Sequence, residues 1–373
     1  MEVVRDWSIG HDEFWGKIGH FTIGFKACDQ LSGNLATLMK KNQENIGFDD
    51  AKLSGTFSVD SKKFVPLADV PDYVWINTRP TNEPIQHFAD IDIEDIDGKP
   101  SLLDRCVSDS KNIAASVWKA YFDGFAAQGV GPEEGALPFR VWQIYDAMVD
   151  YAGKKDVIHF VAAAGVLAHY VGDASQPLHC SFMHHGVPPM TTYQGRDYPF
   201  PRSSQKFKDF KTTPEAQIHG IYEETMLEAK PADALTLVDK KIAAMNAPAL
   251  PNNATGHDAA VQVIRLMNDA QKRLSPMDII KADDPTLTKK KRAERLWNNA
   301  TIRDATAKSL ADSVLTLAAI WTAAWKAGGG PTIASSKLIK FNTDDLIDIY
   351  RGEKNFLTSM SLKSMASSKK FEP

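Results

Sequence analysis

Residues 157–179 read VIHFVAAAGVLAHYVGDASQPLH. From Val157 to Val171 the run is apolar except at His159 and His169. It lacks the roughly 18 uninterrupted apolar residues of a membrane span, and it reads as a buried helix of a soluble protein. His169 and Asp173 stand four apart, so a helix puts both on one face. Pro177 disturbs the helix, and His179 follows the bend. An imidazole and a carboxylate converging inside an apolar helix are costly unless something compensates them. A divalent cation does so, and neutral imidazole plus carboxylate is a normal zinc ligand set.

Outward from this stretch, helical periodicity dominates. Ile113, Val117, Tyr121 and Phe125 recur every four residues. Val141, Ile144, Met148 and Tyr151 recur at three and four, as do Leu310, Val314, Leu317 and Trp321. The expected fold is all-α: a single-domain helical bundle over residues 7–330, wrapped around a zinc cluster and carrying long loops. One short hairpin is expected at Thr56–Val65. Asn77–Pro100, Ser181–Ser204 and Pro248–His257 read as loops from their Pro, Gly and Asn content. The Gly328–Gly330 run and Pro331 end the last long helix. Beyond them, residues 331–373 read as a Ser/Lys-rich appendage, partly mobile, with one short helix near Asp344–Tyr350.

The 373 residues are 43% hydrophobic, with a formal net charge of -4. That balance argues against gripping nucleic acid by bulk charge. Cys28, Cys106 and Cys180 form no CxxC pair, so they read as small buried hydrophobes rather than a thiolate zinc site. Met1–Gly10 does not have the pattern of a signal peptide. The run Lys289–Arg292 reads as a solvated helix start, with contact to an anionic membrane as the sharper alternative. The loop 181–204, with His184, His185, Tyr193, Tyr198 and Phe200, is either a lid or a decorated surface loop.

Further ligand candidates recur. His219 and Glu223 form a second i,i+4 pair, His20 sits in a third helix, and Asp72 and His87 flank a loop. In these residues the chain resembles the zinc-dependent phospholipases C and the related single-strand-specific nucleases. It shares HxxxDxxxxxH at His169, Asp173 and His179, an Asp before His87-Phe88, and a downstream His-x-x-x-acid. The resemblance runs from about Trp7 to Gly328. It implies three zinc ions. Asp72, His87, His169 and Asp173 would hold the first. His20, Asp173 and a Trp would hold the second, and His179, His219 and Glu223 the third. Trp7 is the preferred Trp, with Trp15 the alternative.

The resemblance also implies hydrolysis of phosphate diesters, with Asp72 orienting or deprotonating water, and Tyr73, Phe88 and Asp90 contacting substrate. Glu223 and Tyr73 favour a phospholipase C acting on a phospholipid or membrane surface. A nuclease acting on single-stranded nucleic acid is the alternative; nucleases typically carry Arg where this chain has Trp75. A helical protein that binds zinc without turnover is the third reading. The family implies a secreted or periplasmic monomer with no protein partner.

Overall fold

The computed structural model describes residues 16–373. It is all-α, and the only strands among the described residues form one short hairpin. The main helices are α1 (Gly16–Asp29), α2 (Ala115–Ala127), α3 (Leu137–Gly153), α4 (Val157–Ala174), α5 (Pro231–Ala244), α6 (Gly256–Arg273), α7 (Lys289–Asn298) and α8 (Ala300–Ala327).

Helix α4 is the axis of the molecule. It is apolar on every side, so no face can be left to water, and Phe160 to Ala174 are all buried. Asp156 caps its start by accepting from the His159 amide. Helices α1, α3, α6 and α8 surround it. Two buried polar contacts fix α8 against it: Trp321 Nε1 donates to the Ala164 carbonyl at 2.9 Å, and Ser313 Oγ to that of Val171 at 3.3 Å. Helix α6 is strongly amphipathic and opens with a capping box, Thr255 with Asp258. By length and composition α4 would pass for a membrane span, but 89% of it is buried inside the protein.

Close approach sets α1 against α4. A Cβ at Gly172 would stand 2.9 Å from His20 Nδ1 and 3.1 Å from Ile23 Cδ1. Gly172→Ala should therefore push His20 aside and cost about 1–3 kcal/mol of stability. A thermal melt and metal analysis would check both effects; unchanged values in both would refute this packing.

Two sequence expectations about strands are corrected. No strand forms at Thr56–Val65. The hairpin is instead β1 (Met190–Tyr193) with β2 (Arg196–Pro199), inside the stretch read as a loop. Gln194 and Gly195 both adopt positive φ, 51° and 78°, which the tight connection requires. The basic run does open a helix, α7, with Lys289–Lys291 exposed as expected; Arg292 alone is buried, paired with Asp283 at 2.8 Å.

Residues 331–373 are no loose appendage. Trp75 Nε1 donates to the Tyr350 carbonyl at 2.9 Å, Arg79 and Arg140 both donate to that of Leu357, and the Ala115 amide donates to that of Phe371 at 2.9 Å. Phe356, Leu362, Met365 and Phe371 are buried. Sparse apolar residues in a Ser/Lys-rich stretch look weak locally, and only distant partners make them core. Trp75 faces this segment, so its side chain is a core contact.

Candidate metal centre

Six segments bring the candidate ligands together. His20 comes from α1, and Asp72 from a wide helical turn, Pro71–Trp75. His87 follows a 3-10 turn, His169 and Asp173 lie on α4, and His179 sits in the 3-10 turn Pro177–Cys180. His219 and Glu223 come from the helical segment 218–229, which contains a second wide turn, Ile221–Thr225. Trp7 and Trp15 lie outside the described residues.

Asp173 is at the centre and fully buried. Its Oδ2 is 3.2 Å from His87 Nδ1 and 3.4 Å from His169 Nε2. Its Oδ1 is 3.6 Å from both His20 Nε2 and His179 Nδ1. Asp72 Oδ1 lies 3.1 Å from His169 Nε2. On the other side His219 Nε2 is 2.6 Å from Glu223 Oε2 and 2.8 Å from His179 Nε2. Every predicted ligand among the described residues therefore falls into one buried cluster.

The backbone orients the rings. His169 Nδ1 donates to the Ala68 carbonyl at 3.1 Å, and His179 Nδ1 to that of His87 at 2.7 Å. Each bond turns Nε2 towards the cluster, where the neutral ring offers it as a ligand. Behind His87, its Nε2 faces Glu83 Oε1 at 3.5 Å, which turns Nδ1 inward. Glu83 is itself buried and bonded by Tyr170 and Ser359, with Arg140 at 3.6 Å. Burial alone would raise its pKa, but Arg140 and His87 bring it down to about 2.

The charges do not balance among the side chains. Burial pushes the Asp72 carboxyl up to about 8 and that of Glu223 to about 7, and it raises Asp69. Burial opposes charge on His87, yet Asp173, Glu83 and Asp72 together lift it to about 9. Burial works against Asp173 as well, but His169, His179 and His87 hold it well below the carboxylate range. Both oxygens of Asp173, Oε1 of Glu223 and both nitrogens of His20 are buried with no hydrogen bond. Orphaned carboxylate and imidazole atoms in one dry site are what a divalent cation would satisfy. The groups His87–His169–Asp173, His20–Asp69–Asp72–His169 and His20–Asp173–Glu223 each present ligand atoms within 4.8 Å of one another. The residues fit metal binding.

Sequence reasoning missed Asp69 and Glu83. Each is one acidic residue in an unremarkable local context, and no spacing marks either. Glu83→Gln should loosen metal by about 10–100-fold through His87. It should also leave Arg140 buried opposite a neutral group, at about 3–5 kcal/mol. A chelator competition beside a melt separates the two; unchanged affinity would make Glu83 purely structural.

The expected substrate residues are less open than a binding surface requires. Phe88 and Asp90 are buried, with the Arg202 guanidinium 4.9 Å from the Phe88 ring centroid and 3.5 Å from Asp90 Oδ2. Arg202 follows the hairpin, so that loop lies over these residues. Tyr73 is half-buried; burial and the nearby Asp69, Glu224 and Asp72 raise its phenol. The three cysteines are free and buried.

No family model matches the chain, and no solved structure does. The chain is similar to a protein named a probable serine protease, from Bradyrhizobium tropiciagri: 30% identical over 402 residues, covering 97% of this chain. The chain spans 50% of that relative's length. The finding corrects the expectation of phosphodiester hydrolysis, whether as phospholipase C or nuclease, because the relative's name points to peptidase activity. The earlier expectation took the reaction from a ligand pattern, and metal ligands alone do not select the bond that is cleaved. The described imidazoles bond to carboxylates, other imidazoles, backbone carbonyls and Lys211.

Proposed function

We propose that this chain is a metal-dependent hydrolase that cleaves amide or ester bonds at a carbonyl carbon. The observation that carries it is Asp173: a buried carboxylate with imidazoles on both sides and no hydrogen bond to either oxygen. The relative's name supports a peptide substrate. The chain covers half of that relative, so a serine nucleophile there can belong to the other half. By the resemblance in its ligands, the reading takes the metal to be zinc, three ions in number, and the protein to be a secreted or periplasmic monomer.

A bound divalent cation supplies Lewis acidity and brings water's pKa towards about 7. The chain's own residues do the rest. Asp72 is the least buried of the core carboxylates, at 7% exposure; it takes up the proton of the attacking water and returns it to the leaving amine or alcohol as the acyl C–N or C–O bond breaks. Ala68 and the His87 carbonyl hold His169 and His179 in the ligand tautomer. The apolar walls of α1, α4 and α8 keep bulk water out.

The test offers the purified chain casein and chromogenic peptide and ester substrates. One arm adds chelator and then zinc; another adds a serine-directed fluorophosphonate. The reading expects hydrolysis that chelator abolishes and zinc restores, no fluorophosphonate labelling, and loss of both metal and rate in His169→Ala. Chelator-resistant hydrolysis blocked by the fluorophosphonate would overturn it, as would no cleavage of any of these substrates.

A further inference from the structure

One imidazole beside the centre has no part in the ligand sets derived above. His184 is 5% exposed, and its Nδ1 has no hydrogen bond. Its ring centroid lies 4.1 Å from that of His219 and 5.0 Å from that of His179. One ligand nitrogen from each of these three rings lies within 4.8 Å of the others. The turn that presents it is well tied. The His184 amide donates to the Ser181 carbonyl at 3.0 Å, Gly186 to that of Met183 at 2.8 Å, and Phe182 to Asp92 Oδ1 at 3.0 Å. A lid residue would be held loosely at the surface, whereas this ring is packed inward between Phe88, His179 and His219.

We propose that His184 is a fourth protein ligand to the cation held by His179, His219 and Glu223, closing that position to substrate. The inference rests on the metal-centre reading above. Its chemistry follows from ligand count. Four protein ligands saturate a tetrahedral zinc and make a structural site, while three leave a place for water or substrate. The positions that share Asp173 and Asp72 then carry the reaction. The closed position pins the start of the 181–204 loop, and with it the hairpin and Arg202, to the Pro177–Cys180 turn and the 218–229 segment. The cation here is held more tightly than the others.

The experiment loads the full chain with Co2+ and compares wild type, His184→Ala and His184→Cys, with circular dichroism verifying that all three are helical. A thiolate that ligates cobalt gives a near-ultraviolet charge-transfer band; the native thiols, including Cys180 beside His179, are common to all three chains, so wild type sets their baseline. His184→Cys should add such a band over wild type. His184→Ala should surrender its tightest metal to chelator at least ~100-fold more readily, the upper end of what losing a supporting contact costs. Bound cobalt with no new band in His184→Cys, or with unchanged retention in His184→Ala, overturns the assignment of His184 alone. A wild-type chain that binds no cobalt overturns the metal-centre reading as well.

Discussion

Asp173→Asn should abolish hydrolysis and empty more than one metal position at once. The carboxamide has the same shape, so α4 and its packing survive. What changes is charge and donor capacity. Each Asp173 oxygen faces a different set of rings, His87 and His169 on one side, His20 and His179 on the other. The amide nitrogen cannot ligate, and the remaining oxygen is neutral. Each affected position should weaken by more than the ~10–100-fold that a lost supporting contact costs. The combined loss of rate should then be at least on the order of 10³-fold. Metal analysis after gel filtration, with initial rates at saturating zinc, decides the matter. Full metal content and an unchanged rate would remove Asp173 from the centre and, with it, the proposed function.

The second large effect is the pH dependence of chelated protein. Above pH 6.5 an unfolded chain has lost its carboxyl and most of its imidazole protons. The chelated folded protein still holds protons on Glu223 to about pH 7, Asp72 to about 8 and His87 to about 9. Above about pH 7.5 the native state binds more protons than the unfolded state, through Asp72 and His87, so its stability falls as pH rises from about 7.5 to 9. The buried histidines with lowered values, His20, His179, His184 and His185, are neutral when folded; unfolded they are about half protonated at pH 6.5, so they oppose the trend there and drop out above about pH 7.5. Metal must displace those same protons, so its affinity rises with pH over the same range. Melts with zinc and with chelator, at half-unit pH steps, should diverge progressively. Parallel curves would mean that cations do not bind at these groups.

These expectations depend on residues of unequal legibility. His169 with Asp173, and His219 with Glu223, are readable because four-residue spacing inside apolar runs forces polar groups onto one buried face. His20, Asp72 and His87 become readable only once the pattern resembles a known family. Asp69, Glu83 and His184 carry no such mark. Glu83 acquires its role from Arg140, Tyr170 and Ser359, up to 276 positions away in the chain. Phe88 and Asp90 fit a substrate pocket by position, and the loop carrying Arg202 covers them.

The chain's own order therefore determines the helices, because apolar period and capping act over a few residues: α4 is a central helix from its composition, and the all-α class follows. Tertiary structure alone decides how far each polar group is buried and which other groups face it. Residues 331–373 show this at the scale of a segment, since their few apolar side chains acquire value against distant partners, Phe356 against Trp75 and Phe371 against Phe139 and Trp142. Desolvation and Coulomb interaction depend on distance in space, and separation along the chain does not encode it.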